Sequence, residues 1–190
     1  LLSTWAHLIN PANQGHILDV EERSFHGLST LLSTLLVENV PDVYALPLKR
    51  NIADVNLETL SKIILAVRAV LILFTLYFLR LVPFHNSSGR HTLYEISYIL
   101  LIIPLIFPHQ QHYAFLFCVP AYTLLLYELL HESKPNKFTV FFLVMLYIIF
   151  SLKLLLGAYN DYYDHYKIIT YAALMLVPAL ALGFRKKVID

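Results

Sequence analysis

Charge is what this 190-residue chain has least of: 14 Lys and Arg with 13 Asp and Glu make up 14% of it, against 58% hydrophobic residues. A water-soluble domain carries about 25% charged residues, so there is too little charge here to cover a water-facing surface. The net charge of +1, and the absence of any basic run interleaved with aromatics, speak against a nucleic-acid partner. The single cysteine, Cys118, lies inside an apolar run, which excludes a disulfide framework and leaves the redox compartment open. The chain opens on Leu1-Leu2, without an initiator methionine and without a charged segment before its first apolar stretch. That start has the form of neither a signal peptide nor a natural beginning. The expectation is a C-terminal fragment whose N-terminal half precedes Leu1.

What the chain has instead is long apolar runs. A spanning helix needs about 17–25 mostly apolar residues. Five stretches qualify as candidates: Leu57–Phe78, Leu93–Phe107, His112–Leu130, Phe138–Leu156 and Ile168–Phe184. The expected fold is therefore all-α, a polytopic membrane helix bundle in residues 57–190, preceded by a loop with amphipathic helices in residues 1–56. Basic residues set its orientation. Arg80 and Arg90 flank the first connection, Lys134 and Lys137 sit in the third, and Arg185-Lys186-Lys187 follow the last span. The second connection, Pro108–Gln111, has none, and the fourth, Ala158–Tyr166, carries Asp161 and Asp164 instead. This alternation predicts a cytoplasmic C-terminus, with residues 1–56, the Pro108–Gln111 elbow and the Tyr/Asp loop all on the outer side. Within residues 1–56, Leu28, Leu31, Leu32, Leu35 and Leu36 recur at helical spacing, with Ser29, Thr30, Ser33 and Thr34 on the other face. Gly27–Val37 thus reads as an amphipathic helix in the outer interface or over the bundle. Leu1–Ile9 is a candidate second one, ended by Pro11, and Pro41 and Pro47 break the chain before the first span.

Few polar residues remain as candidates for chemistry. Pro108 ends one helix near Phe107, and the next must start close to His112, so His109, Gln110, Gln111 and His112 gather at the rim of two packed segments. Such a rim is either a solvated turn or part of a site. An uncharged set of this kind suits hydrogen bonding to a phosphate or sugar hydroxyl, or proton transfer. Two histidines without a third ligand nearby are weak evidence for zinc, which wants at least three protein ligands, and no metal or cofactor is expected. Arg68 lies mid-span, where an ionisable group costs about 2.5–3.5 kcal/mol and faces a cavity or a partner. It reads as an anion-binding group or as half of a structural pair. Lys153 lies about one turn from the outer end of its span and could line the same site or snorkel to the headgroups. Glu95 and Glu128 sit near inner helix ends, which suits an interfacial role. The loop Tyr159-Asn160-Asp161-Tyr162-Tyr163-Asp164-His165-Tyr166 combines aromatics with carboxylates, as carbohydrate sites and interfacial tyrosine belts both do. Asn86-Ser87-Ser88 matches a glycosylation acceptor but is expected on the inner side.

The combination resembles the C-terminal half of polyprenyl-phosphate-dependent glycosyltransferases of the GT-C fold, nearest to glycosyltransferase family 87. Glu22-Arg23-Ser24-Phe25-His26-Gly27-Leu28 and its leucine-rich helix resemble that family's outer N-Q-S-x-x-G segment, with Glu22-Arg23 standing where the family has Asn-Gln. Phe107-Pro108-His109-Gln110-Gln111-His112-Tyr113 resembles its S-P-x-x-W-x-H-H-Y turn, about two residues shorter and without the Trp. Tyr166-Lys167 before an apolar helix and a basic tail resembles its ending. By this resemblance His112, followed by Tyr113, matches the family's functional histidine, and Ser24 matches the serine of the outer segment. The resemblance implies transfer of a hexose such as mannose from a polyprenyl-phosphate donor to a lipid-linked or glycan acceptor, by inversion and without a metal. It implies a bacterial inner-membrane setting and an acceptor-activating carboxylate upstream of Leu1, leaving His109, Gln111, His112, Tyr113, Arg68, Lys153 and Ser24 to bind phosphate or substrate. Two other readings compete. A transporter or flippase segment would place Arg68 and Lys153 along a substrate path, although Pro104, Pro120 and Pro178 do not pair into the repeated halves such a fold shows. A non-catalytic membrane scaffold would make the polar elbow incidental.

Overall fold

The computed structural model describes residues 26–38, 40, 46–79, 89–107, 110–132 and 134–185, and every regular element among them is helical. Helix α1 is Leu28–Leu36; α2, Leu57–Leu73, is followed by the short α3, Thr75–Leu79; α4 is Gly89–Ile106. A 3₁₀ segment, His112–Cys118, runs into α5, Val119–Leu130. Helix α6, Lys137–Leu156, leads through a 3₁₀ turn at Gly157–Tyr159 into α7, Asn160–His165, and α8 is Ile168–Phe184. Local chemistry sets several of these limits. The Asn56 side chain caps α2 by accepting from the Thr59 amide at 2.8 Å, and Asn136 caps α6 by accepting from Phe138 at 3.0 Å. Helix α4 stops at Ile106, two residues before Pro108, and Pro120 sits in the first turn of α5, where a missing N–H costs nothing.

Two apolar stripes build the core. On α4, Tyr94, Tyr98, Leu101 and Leu105 recur every three or four residues and are wholly buried against α5 and α8. On α8, Ala172, Leu176, Leu180 and Phe184 recur every four residues and are equally buried. At one end Phe74, Tyr77, Phe78, Tyr98 and Phe184 pack ring against ring, with Phe78 stacked on Tyr98 at 4.4 Å between centroids. The Tyr98 hydroxyl donates to the Leu71 carbonyl at 2.6 Å, fastening α4 to the last turn of α2.

The opposite faces of the same helices are apolar as well. Leu93, Ile96 and Ile99 on α4 and Leu65, Val70 and Leu73 on α2 are about half exposed or more. A helix that is apolar all round belongs in a core or in a bilayer, and none of the described residues covers these faces. Leu57–Phe78 and His112–Leu130 are long and apolar enough to cross a membrane, and α6 with the helix beyond its 95° bend is a third if the pair counts as one span. Helix α8, at 17 residues, is apolar but shorter. Helix α4 contains the stretch Leu93–Phe107 up to Ile106 but opens with Arg90, His91 and Glu95. This all-helical arrangement suits an integral membrane protein.

Helix α1 packs against α2 and α4, and this covers part of its hydroxyl face: Ser29, Ser33 and Thr34 are buried alongside Leu28 and Leu31. The hydroxyls stay satisfied there, Ser33 on the Thr30 carbonyl and Thr34 on the Leu31 carbonyl, both at 2.9 Å. The candidate helix Leu1–Ile9 lies outside the described residues.

The two ends of the bundle differ in chemistry. At one, Arg90 pairs with the buried Glu128 at 3.0 Å, and His91 meets the Phe78 carbonyl at 2.5 Å and Glu95 at 3.3 Å. Glu95 and Glu128 thus serve interhelical and helix-end pairing. The other end gathers the segment before α1, the elbow and the α6–α8 connection. Because one hydrogen bond separates them, Tyr98→Phe is expected to cost about 1 kcal/mol, whereas Tyr98→Ala, which also empties the aromatic stack, costs about 3–5 kcal/mol. Equilibrium unfolding in detergent reads both.

Candidate functional site

Four side chains from distant parts of the chain meet at that second end. His26, in the two residues before α1, is pinned through its backbone: its amide donates to the Gln110 carbonyl at 2.8 Å, and its own carbonyl accepts from the Thr170 hydroxyl of α8. The ring this places is wholly buried, with Nε2 at 3.4 Å from Asp164 Oδ1. His112, the first residue of the 3₁₀ segment, meets the His26 ring edge-on at 5.3 Å between centroids and lies 5.9 Å from the Tyr163 ring. Its Nδ1 is buried and makes no hydrogen bond among the described residues. Asp164, in the last turn of α7, is 4% exposed. Both its oxygens accept from Lys153 Nζ of α6, at 2.9 and 2.8 Å.

Backbone geometry makes the last pairing possible. Lys153 and Asp164 are eleven residues apart and would lie on different turns of a straight helix, but the chain turns sharply at Gly157. Gly157 has φ +52°, where a side chain is strained, so glycine suits the corner. Lys167, buried and left-handed at φ +52°, closes the far side: its amide donates to the Asp164 carbonyl at 3.2 Å, and its carbonyl accepts from Thr170 at 3.0 Å. A strap from residues 46–55 lies over this corner. The Leu46 amide donates to His165 Nδ1 at 3.0 Å, Arg50 reaches the His165 carbonyl at 3.4 Å, and Ile52 and Val55 donate to carbonyls at the end of α1.

The chemistry follows from the pairing. Lys153 and Asp164 offset each other's charge, and the His26 and His112 imidazoles stand beside them. His112 also lines an apolar groove of about 450 Å³ between the 3₁₀ segment with α5 and α6, with Phe115, Leu116, Val119, Tyr122, Tyr147 and Phe150 among its other walls. An apolar groove with an ionisable side chain in its wall has the form of a site for an amphiphile.

Of the residues singled out in the sequence, the structure brings His112 and Lys153 together. Lys153 turns to Asp164 rather than outward to headgroups. Gln111 caps the 3₁₀ segment through its carbonyl, which accepts from Ala114 at 3.0 Å. Tyr113 is 70% exposed at the mouth of the groove. Arg68 is buried and donates to Ser29 at 3.3 Å, tying α2 to α1 one helical turn from His26. Ser24 and His109 lie outside the described residues. The sequence reading weighed His109 and His112 as a pair; the partners that His112 meets here are His26 and Asp164. His26 was visible only as a member of its segment, and Asp164 only as one of two loop carboxylates. The signal available for both was that their segments share a side with the elbow.

A double-mutant cycle on Lys153→Met and Asp164→Asn tests the pairing. Each single change leaves a buried or half-buried group without its partner and is expected to cost about 1–3 kcal/mol, while the double costs less than their sum by about 0.5 kcal/mol or more. Additive costs in denaturant unfolding would show that the pair carries no coupling. Comparison of the chain with protein-family models, with curated proteins and with solved structures finds no match.

Proposed function

We propose that the chain is the C-terminal part of a membrane glycosyltransferase that moves a hexose, with mannose the first choice, from a polyprenyl-phosphate donor to a lipid-linked or glycan acceptor with inversion. The observation that carries this reading is the position of His112, which lines the apolar groove and also meets the buried His26 and Asp164, with Lys153 paired to the latter. A polyprenyl phosphate has the same two parts, a long apolar chain and an anionic head. Its tail fits the trough, and its phosphate then lies beside an imidazole and an ammonium. Sugar transfer places growing negative charge on that phosphate, and groups already aimed at it stabilise the transition state without reorganising. In this reading His112 donates a hydrogen bond or a proton to the leaving phosphate, with Lys153, Gln111 and Tyr113 around it. Ser24 and His109 join this set by the family resemblance alone, and Arg68 holds α1 and the His26 segment in place. The base for the acceptor hydroxyl is supplied upstream of Leu1, as the family resemblance implies.

The membrane setting belongs to the same proposal: five spans, the histidine end outside, the C-terminus in the cytoplasm and, by analogy, a bacterial plasma membrane. The loop charges support that orientation. Arg90 and Lys137 stand at the end away from the cluster, where the positive-inside rule puts cytoplasmic residues.

The test is a transfer assay on the protein carrying this chain with its expected upstream half, using polyprenyl-phosphate sugars as donors. Wild type is expected to transfer, and His112→Ala to fold normally while losing about 10²–10⁴-fold in kcat. Val119→Trp, which fills the groove away from the cluster, is expected to raise KM for long-chain donors more than for short-chain ones. Normal transfer by His112→Ala would remove the site assignment. No transfer by wild type with any donor would put the transporter reading first.

A further inference from the structure

We infer that His26, His112 and Asp164 form a three-ligand site for a divalent cation of the zinc class. One nitrogen from each imidazole and one oxygen of the carboxylate lie within 4.8 Å of one another, the group among the described residues that could hold such an ion. Two of the ligands are wholly or nearly buried and the third is half-buried, so bulk water does not compete freely for the position. Two histidines and one carboxylate are a donor set that zinc accepts, and three protein ligands leave a fourth position for water or a substrate oxygen.

The spacing of one pair suits co-ligands, within a set whose donor atoms span up to 4.8 Å. His26 Nε2 and Asp164 Oδ1 are 3.4 Å apart, beyond the usual N–H···O range of about 2.7–3.2 Å. Bonds of about 2.0–2.1 Å to a tetrahedral ion place neighbouring donor atoms about 3.3–3.4 Å apart. The rings approach edge to face, at 83°, with centroids 5.3 Å apart, so they reach a common point without stacking. His112 adds a separate observation: a buried Nδ1 that makes no hydrogen bond among the described residues.

Lys153 is compatible with the ion. It contacts both oxygens of Asp164, and when Oδ1 turns to a metal the ammonium keeps Oδ2, now at 2.8 Å. A lysine there fixes the carboxylate's orientation, as partners of metal-bound carboxylates do. The ion, one carboxylate and the ammonium together leave the centre net positive, which makes the fourth position attractive to an anion. The three ligands come from before α1, from the elbow and from α7, so the ion would also cross-link segments that local sequence does not hold together.

This site stands on geometry alone and departs from the metal-free chemistry that the family resemblance implies. Its test reads bound metal, so a chain without transferase activity still answers it. The full chain, purified in detergent and stripped with a chelator, is titrated with Co²⁺ and with Zn²⁺ and analysed for metal content and cobalt absorption. Wild type is expected to bind about one equivalent, with the intense visible bands of tetrahedral cobalt. His26→Ala, His112→Ala and Asp164→Asn are each expected to bind at least about tenfold more weakly, and Asp161→Asn, an exposed carboxylate on the same helix, to bind as wild type does. Wild type that takes up no stoichiometric metal, or that gives only octahedral cobalt, overturns the site whether or not the variants fold. So does a folded His112→Ala that binds as tightly as wild type.

Discussion

A carboxylate buried at the end of an apolar bundle is the constraint on which this arrangement turns. Asp164 is 4% exposed, and an isolated charge so placed costs several kcal/mol unless it is paired. Lys153 provides the pairing, but only because α6 and α7 meet at a corner that Gly157 can turn. The corner brings α7 back against α8, whose first turn holds the His26 carbonyl through Thr170. The His26 amide in turn holds the elbow through Gln110, and the elbow presents His112. Each link is a single contact, and together they tie five segments, several of them far apart in the chain.

That set of contacts explains why the polar end of the molecule was partly legible and partly hidden. The apolar stripes of α4 and α8 are periodic, and their burial follows from spacing alone. Pro108 and the apolar runs on either side of it place the elbow. Loop charge put residues 1–56, the elbow and the Tyr/Asp loop on one side, and hydrogen bonds join residues 1–56 to the elbow at Gln110 and to the Tyr/Asp loop at His165. What spacing cannot express is which side chains meet across that end. His26 and His112 are far apart in the chain, and nothing local distinguishes Asp164 from Asp161. The hydroxyl face of α1 shows the same limit from another direction. An amphipathic pattern assigns one face to water, whereas tertiary packing buried residues of both, with Ser33 and Thr34 satisfied within the helix. Arg68 was conspicuous for its depth, but only the packing of α1 shows that Ser29 receives it.

Function enters where the two kinds of surface meet. The groove lined by His112 is apolar, as a lipid chain requires, and the same His112 meets the buried His26. Soluble substrates need no such trough, and a lipid-facing scaffold needs no buried imidazoles at its end. A lipid-phosphate donor uses both, which is why sugar transfer from a polyprenyl phosphate is the reading we adopt.

The most direct measurement is a structure of the protein with its expected upstream half, bound to a non-transferable polyprenyl-phosphate sugar analogue. The account predicts the phosphate within hydrogen-bond distance of His112, with Lys153 beside it and the first isoprene units along Leu116, Val119 and Phe150. A phosphate bound away from this end of the bundle, or a groove filled by a protein helix, would contradict it.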